Sequence, residues 1–328
     1  MTRSRLAAVL ALLAAATPAW AQTPAPNTAT QTIDVMNQLW GKHPLTRANH
    51  AKGIVAEGSF VPAAAARRLS RASIFAGPAV KVDVRFSDST GLPSLPDGSG
   101  DANPHGMAVK FHTASGGYVD IVANSLAFFP VANGEEFLAL LQALAASPPG
   151  TPKPTPAERF IGAHPAVLPA FASATTPASL ARETYNGVDA FVFVDAAGHR
   201  QPFRYRIVPA TGRPLHLAPA VAAKMPPDFL VDELKRRLAR RPVAFHLLAQ
   251  LAAPGDQTKD PTQPWPASRK LVDMGTITLT RAAADNVQAQ KDLRYLPTQL
   301  EPGIEVSDDP LIEDRSRAYV VSFVRRLR

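Results

Sequence analysis

A chain of 328 residues, 46 % of them hydrophobic and 19 % charged, can bury a full core in one large domain or two modest ones and lacks the composition of a disordered polymer. It contains no cysteine, which excludes a disulfide scaffold, a thiol nucleophile, iron–sulfur and thiolate–zinc sites and the Cys-x-x-Cys-His attachment motif; any metal must be held by histidine, tyrosine, carboxylates or a cofactor. The formal net charge of +8 admits an anionic partner, so the placement of the basic residues decides what it means.

At the N-terminus, Arg3 and Arg5 precede the apolar run Leu6–Ala16, and Ala19-Trp20-Ala21 offers a small-residue cleavage site before Gln22. This is the pattern of a secretory signal peptide over residues 1–21, with cleavage expected after Ala21 and export to the periplasm of a Gram-negative source. Residues 22–34 are expected to be a flexible N-terminal segment, and 35–328 a single domain. No later stretch reaches about 18 to 20 uninterrupted apolar residues, so no membrane span is expected after cleavage.

The predicted elements fall into two blocks of strands. In the first, Val82, Val84 and Phe86 alternate with Asp83, Arg85 and Ser87, the period of a strand with one apolar and one polar face. Ile54–Phe60, Met107–His112 and Tyr118–Asn124 read as companion strands, the last two joined by the turn Ser115-Gly116-Gly117. From Glu135 to Ala146 the spacing of Phe137, Leu140, Leu141 and Leu144 predicts a helix that stops at Ser147-Pro148-Pro149-Gly150. A proline-rich connection to Pro156 and short helical pieces through Ala181 follow.

The second block opens with Val188–Asp195 and Phe203–Val208 around the turn Ala196-Ala197-Gly198, and continues with Pro242–Leu251 and Leu271–Thr280. Between them, Lys235, Arg236, Arg237, Arg240 and Arg241 make the densest basic cluster, but Phe229, Leu230, Leu234 and Leu238 recur there with helical spacing. The charges read as the wet face of an amphipathic helix, and no nucleic-acid partner is expected. Eight mainly antiparallel strands in two blocks, with helices between and after them, predict a closed or nearly closed β-barrel of α+β class.

Three places carry polar residues that a structural role alone explains poorly. Arg47-Ala48-Asn49-His50-Ala51-Lys52-Gly53 stands at the entrance of the first strand. Arg85 and Ser87 share one strand face, and Asn124 closes the strand Tyr118–Asn124, a position where asparagine usually serves a turn. Near the C-terminus, Ser307-Asp308-Asp309-Pro310 starts a helix on which Arg315 and Tyr319, four apart, can touch. Such a pair normally means packing and a surface charge. If the tyrosine faces a metal, however, the guanidinium favours its phenolate form by charge attraction and hydrogen bonding, which makes it a competent iron ligand.

In their order and spacing, His50-Ala51-Lys52-Gly53, Val84-Arg85-Phe86-Ser87, Gly106–Phe111, Asp120–Asn124, Phe128-Phe129, Asp195–Gly198, Trp265-Pro266, Gly275–Leu279 and Leu300–Glu305 leading into the tyrosine helix resemble the haem catalase superfamily, and within it the short exported catalase-related peroxidases. The resemblance runs from about Met36 to Arg326. It implies a catalase-like barrel with haem, of the b type, held against its wall. His50 then matches the distal base, Asn124 the distal amide and Ser87 the hydroxyl that orients the histidine. Tyr319 matches the proximal iron ligand and Arg315 the arginine that keeps it as phenolate. Arg47, Arg85 and Arg326 match the positions that bind the haem propionates, and Phe129 and Phe137 the aromatic lining of the distal pocket.

The sequence also departs from ordinary catalases. Val320-Val321-Ser322-Phe323 replaces a polar turn after the tyrosine, Asn49 stands where valine is common, and the chain ends nine residues after Tyr319. The expectation is a monomer or homodimer rather than a tetramer, with a wider approach to the haem. Its partners would be a small peroxide and an unknown electron donor. The expected activity is reduction of hydrogen peroxide and organic hydroperoxides with that donor, weak catalase activity, and protection against oxidative stress. The alternatives are a true catalase of minimal size, a fatty-acid hydroperoxide isomerase, and a non-catalytic haem carrier, which the presence of His50 and Asn124 disfavours. A non-haem metal enzyme is weakest, because the eight histidines show no ligand motif such as His-Glu-x-x-His.

Overall fold

The computed structural model describes residues 27–327; the leader, its cleavage site and residues 22–26 lie outside them. The strands are β1 (Gly53–Pro62), β2 (Val80–Ser87), β3 (Gly106–His112), β4 (Tyr118–Asn124), β5 (Tyr185–Asn186), β6 (Phe191–Val194), β7 (Arg200–Pro209), β8 (Val243–Leu251), β9 (Leu271–Ala282) and β10 (Ile304–Val306). The helices are α1 (Thr28–Trp40), α2 (Ser73–Ala76), α3 (Gly134–Ala145), α4 (Pro156–Ala163), α5 (Val167–Ala172), α6 (Pro219–Ala222), α7 (Phe229–Leu238), α8 (Asn286–Asp292) and α9 (Pro310–Arg326).

All pairings are antiparallel, in the order β10-β6-β7-β5-β4-β3-β2-β1-β9-β8, and β8 pairs back onto β7 to close the barrel. Eight strand positions make the closed ring, because β5 and β6 lie along the same edge of β7 at different heights. The predicted strand Val188–Asp195 is shorter, Phe191–Val194, and a two-residue strand not predicted, Tyr185–Asn186, precedes it. Gly187, whose N–H bonds to the Tyr205 carbonyl at 2.8 Å, and the residues up to Ala190 lie between them. The lumen is a packed core, not a pore: Phe60, Phe86, Phe111, Phe193, Phe203 and Phe245 are fully buried there with Ile54, Val84 and Leu247. Phe193 and Phe203 stack with centroids 3.5 Å apart.

Alternation along the strands fixes what the outer wall presents. The register places Arg85, Ala108 and Val122 in one cross-strand row and Ser87, Gly106 and Asn124 in the next. The small residues Gly106 and Ala108 leave a shallow floor on β3 between the polar side chains of β2 and β4. Helices roof this floor. In α1, Asn27 caps the first turn by accepting the Thr30 N–H at 2.9 Å, and its apolar residues Ile33 and Met36 pack with Leu141 and Phe137 of α3 and Ala318 and Val321 of α9.

Residues 28–34, expected to be flexible, are thus helical. The apolar stripe of α1 is narrow, and its order comes from the cap and from tertiary burial rather than from helix propensity. The helix α7 buries Phe229, Leu230, Leu234 and Leu238, so its basic residues are the solvated face, as the spacing predicted. Among the described residues no helix is long and apolar enough to cross a membrane.

Candidate active site

Between the outer wall of β2–β4 and the helices α1, α3 and α9 lies a cavity of about 570 Å³. All ten residues singled out in the sequence line it: Arg47, His50, Arg85, Ser87, Asn124, Phe129, Phe137, Arg315, Tyr319 and Arg326.

On one side, His50 is presented by the loop before β1 in the left-handed backbone region, φ 55°, unusual for a residue with a side chain and tolerated best by Asn, Asp and His. Its N–H is taken by Asn49 Oδ1 at 2.9 Å and its carbonyl by an Arg85 guanidinium N–H at 2.9 Å, which hold the strained residue in place. Nδ1 of the ring lies 3.1 Å from Ser87 Oγ, so Nε2 is the nitrogen left for chemistry. Burial, and then the charge of Arg85, lower the His50 pKa to about 4, against the opposing effect of Asp88; the ring is a neutral base at any ordinary pH.

Gly106 makes this pairing possible, because a Cβ there would sit 2.7 Å from Ser87 Oγ and 3.2 Å from His50 Nδ1. Substituting Gly106→Ala is expected to push the imidazole off its position and cut turnover by about tenfold or more, with the melting temperature changed by only a few degrees. Turnover that stays at the wild-type level would show that the Ser87 contact is dispensable.

Asn124 serves both roles open to it: its Oδ1 accepts the Leu126 N–H at 2.9 Å as a turn residue, while its amide N–H groups have no protein partner among the described residues and line the cavity. Phe129 and Phe137, with ring centroids 5.5 Å apart, supply apolar lining.

On the helical side, Asp309 accepts the Leu311 N–H at 2.9 Å and Pro310 stands at the first helical position, which sets the start of α9 and hence the phase of its side chains. Arg315 Nε donates to Tyr319 Oη at 3.1 Å, and its NH1 pairs with buried Asp189. Burial works against the guanidinium charge, but Asp189 and the Tyr319 oxygen more than offset it and raise the Arg315 pKa. Asp309 is pushed up to about 8 by burial and by the charge of Asp189. Asp189 was missed in the sequence: a lone acid before a strand carries no motif, and only the fold brings it to Arg315.

At the edge of the cavity three arginines converge. Arg47 donates to the carbonyls of Gln290 (2.9 Å) and Leu293 (2.7 Å), Arg326 to that of Leu293 (3.0 Å), and Arg85 to Gln290 Oε1 (2.9 Å). Gln290 and the loop after α8, also missed in the sequence, thus organise all three cations. Burial and mutual repulsion lower Arg47 well below the usual guanidinium range and Arg85 to about 10, and burial brings Arg326 to about 10. Guanidinium does not give up its proton in proteins, so these are three cations, Arg85 and Arg326 buried and Arg47 half-buried, without a carboxylate partner among the described residues.

A largely apolar cavity with a phenol–guanidinium pair on the helix side, an imidazole and an amide on the barrel side, and three unneutralised guanidiniums at its edge suits a macrocycle bearing carboxylates. This is the layout of an oxidoreductase that holds its prosthetic group between a barrel wall and a helix. A family model described as Catalase matches residues 22–327. The chain is 32 % identical to the catalase-related peroxidase of Synechococcus elongatus over 98 % of its own length and 95 % of that protein. It is 34 % identical to the catalase-related peroxidase of Mycolicibacterium paratuberculosis over 89 % and 92 %. The fold superposes on the crystal structure of a fungal catalase with a TM-score of 0.76 at 20 % identity, covering 87 % of this chain and 60 % of that one. The protein belongs to the catalase family, it is a peroxide oxidoreductase, and its family implies haem as the cofactor.

Proposed function

We propose that the protein is an exported, periplasmic haem peroxidase that reduces hydrogen peroxide and organic hydroperoxides with an external electron donor, has weak catalase activity and protects against oxidative stress. The observation that carries this reading is the opposition, across one cavity, of His50 and Asn124 to the Arg315–Tyr319 pair. The names of the two relatives matched over nearly their whole length favour the peroxidase branch.

The residues fit haem b, held without thioether bonds because the chain has no cysteine. Tyr319 would ligate the iron, and Arg47, Arg85 and Arg326 would neutralise the propionates. Haem supplies the iron redox chemistry that takes oxidising power from the peroxide and passes it to the donor. The protein's own part is proton handling. Neutral His50 takes the proton from the near oxygen of the peroxide and returns it to the far oxygen, so that water or alcohol leaves. Asn124 aims its free N–H groups at the peroxide, Ser87 fixes the ring, and Arg315 donates its Nε–H to the Tyr319 oxygen.

Steady-state kinetics on the haem-loaded protein test this: oxidation of a dye donor by both hydrogen peroxide and a bulky organic hydroperoxide is expected. Oxygen release at catalase-like rates with no donor oxidation would overturn it and mark a catalase of minimal size.

A further inference from the structure

Beside the distal histidine, and not lining the cavity, lies a second group of ionisable residues that the peroxide step leaves unused. Ser87 ends β2, and the next residue, Asp88, is buried with Oδ1 3.4 Å from Nε2 of His105. His105 is fully buried and immediately precedes Gly106. Neither ring nitrogen of His105 has a hydrogen-bond partner among the described residues, and the same holds for Asp88 Oδ2 and Asn103 Oδ1. Orphaned polar atoms on buried side chains such as these are out of keeping with native interiors, where each would cost about 1–3 kcal/mol. Buried polar atoms of this kind are commonly satisfied by ordered water.

The surroundings extend the group in two directions. The carboxyl of Asp97 adjoins Asp88, and Lys52 pairs with Asp97 and, at 2.8 Å, with Asp228. Burial and the Asp88 charge push Asp97 up to about 6, so it exchanges a proton near neutrality. On the other side, buried Glu183 is near enough to His105 for their charges to interact, and its Oε2 lies 3.0 Å from Nε2 of His216, whose side chain is 39 % exposed. The nearby hydroxyl of Tyr185 donates to the Leu180 carbonyl and stands outside this chain of groups.

We propose that Asp88, His105, Glu183 and His216, bridged by ordered water, form a proton relay that links His50 to solvent and serves donor-dependent turnover. The inference rests on the peroxidase reading, and the chemistry of that reading demands such a path. Cleaving ROOH to ROH and water consumes two electrons and two protons. A one-electron donor such as a phenol gives up its electron at the haem edge and its proton to solvent, so the two protons must reach the distal side separately. In dismutation the second hydrogen peroxide brings both electrons and both protons and leaves as dioxygen, and no relay is needed.

The test is the ratio of dye oxidation, at saturating dye, to oxygen release in the haem-loaded protein. Asp88→Asn and His105→Gln are expected to lower that ratio about tenfold and to raise the solvent deuterium isotope effect on dye oxidation. His216→Ala, at the exposed end where folding is not at stake, should lower it about threefold. Independently of turnover, exchange of the His105 ring C2 hydrogen with deuterium, followed by mass spectrometry on the holoenzyme, should proceed in the wild type and change in rate in Asp88→Asn. Equal losses of both activities would assign these residues a structural role, and a His105 ring that does not exchange would seal it from proton traffic; either result overturns the relay. Robust dye oxidation with an unchanged ratio sinks the relay alone, whereas a wild-type protein that oxidises no dye sinks the peroxidase reading and removes the relay's purpose with it.

Discussion

Replacing His50 with alanine is expected to leave the protein folded and haem-loaded while peroxide turnover falls by about a thousandfold, within the range for loss of a positioned acid–base group. The reason is geometric. Haem would be gripped from the other face by Tyr319 and at its edge by three arginines, none of which depends on the imidazole for position; Arg85 bonds to the His50 backbone carbonyl, which alanine retains. Asn124 and the cavity lining also stay, so peroxide still enters but its proton has no carrier. The measurement is haem absorbance beside initial rates. Turnover within a few fold of wild type would remove His50 from the mechanism and favour a different active centre.

The same residue sets a pH signature. Its pKa in the folded protein is about 4 rather than the ordinary 6.5, so the acid limb of peroxide turnover is expected near pH 4. The sign for stability follows from proton binding. Between pH 6.5 and 4 the unfolded chain carries a proton on this ring and the folded protein does not, so stability is lost as pH falls through that window. By the conversion of pKa shift to free energy the loss is roughly 3 kcal/mol, and His50→Ala should abolish that share of it. Denaturant melts of both proteins at pH 7 and pH 4.5 would show the difference narrowing; parallel loss in both would place the acid sensitivity elsewhere.

Much of this was legible in the sequence because the barrel imposes a period of two. The alternation of Val82, Val84 and Phe86 with Asp83, Arg85 and Ser87 separated lumen from outer wall, and the i, i+4 spacing of Arg315 and Tyr319 placed both on one helical face. Alternation could not reveal that the polar face of β2 is itself buried, since a covered wall and a wet wall look alike from one strand. Nor could it reveal α1, whose threonines, glutamine and asparagine give a weak stripe that only the packing against α3 and α9 makes helical. Asp189 with Arg315, and Asp88 with His105, are pairs of single residues far apart in the chain. Their meaning arises from strand register and loop placement, which local pattern does not encode.

Replacing Tyr319 with phenylalanine is expected to have the largest effect on the cofactor. The substitution removes one oxygen, the one that Arg315 Nε donates to and that would ligate the iron. Loss of the ligand should weaken haem binding by at least about tenfold, a conservative figure taken from outer-shell changes, and the purified protein should come out pale. The fold has reason to survive. Arg315 keeps its ion pair with Asp189, Asp309 still caps α9, and the aromatic ring keeps its packing. The freed Nε would cost about 1.5–3 kcal/mol of hydrogen bonding to a charged group, a fall of several degrees in melting temperature rather than collapse. Adding haem back to Tyr319→Phe and to wild type, and comparing dissociation by absorbance, separates the two effects. If the variant retains haem with the wild-type spectrum and off-rate, the ligand is some other group and the proximal assignment of α9 is wrong. If it folds, loses haem and loses turnover together, the phenolate of Tyr319 is the bond on which the activity depends.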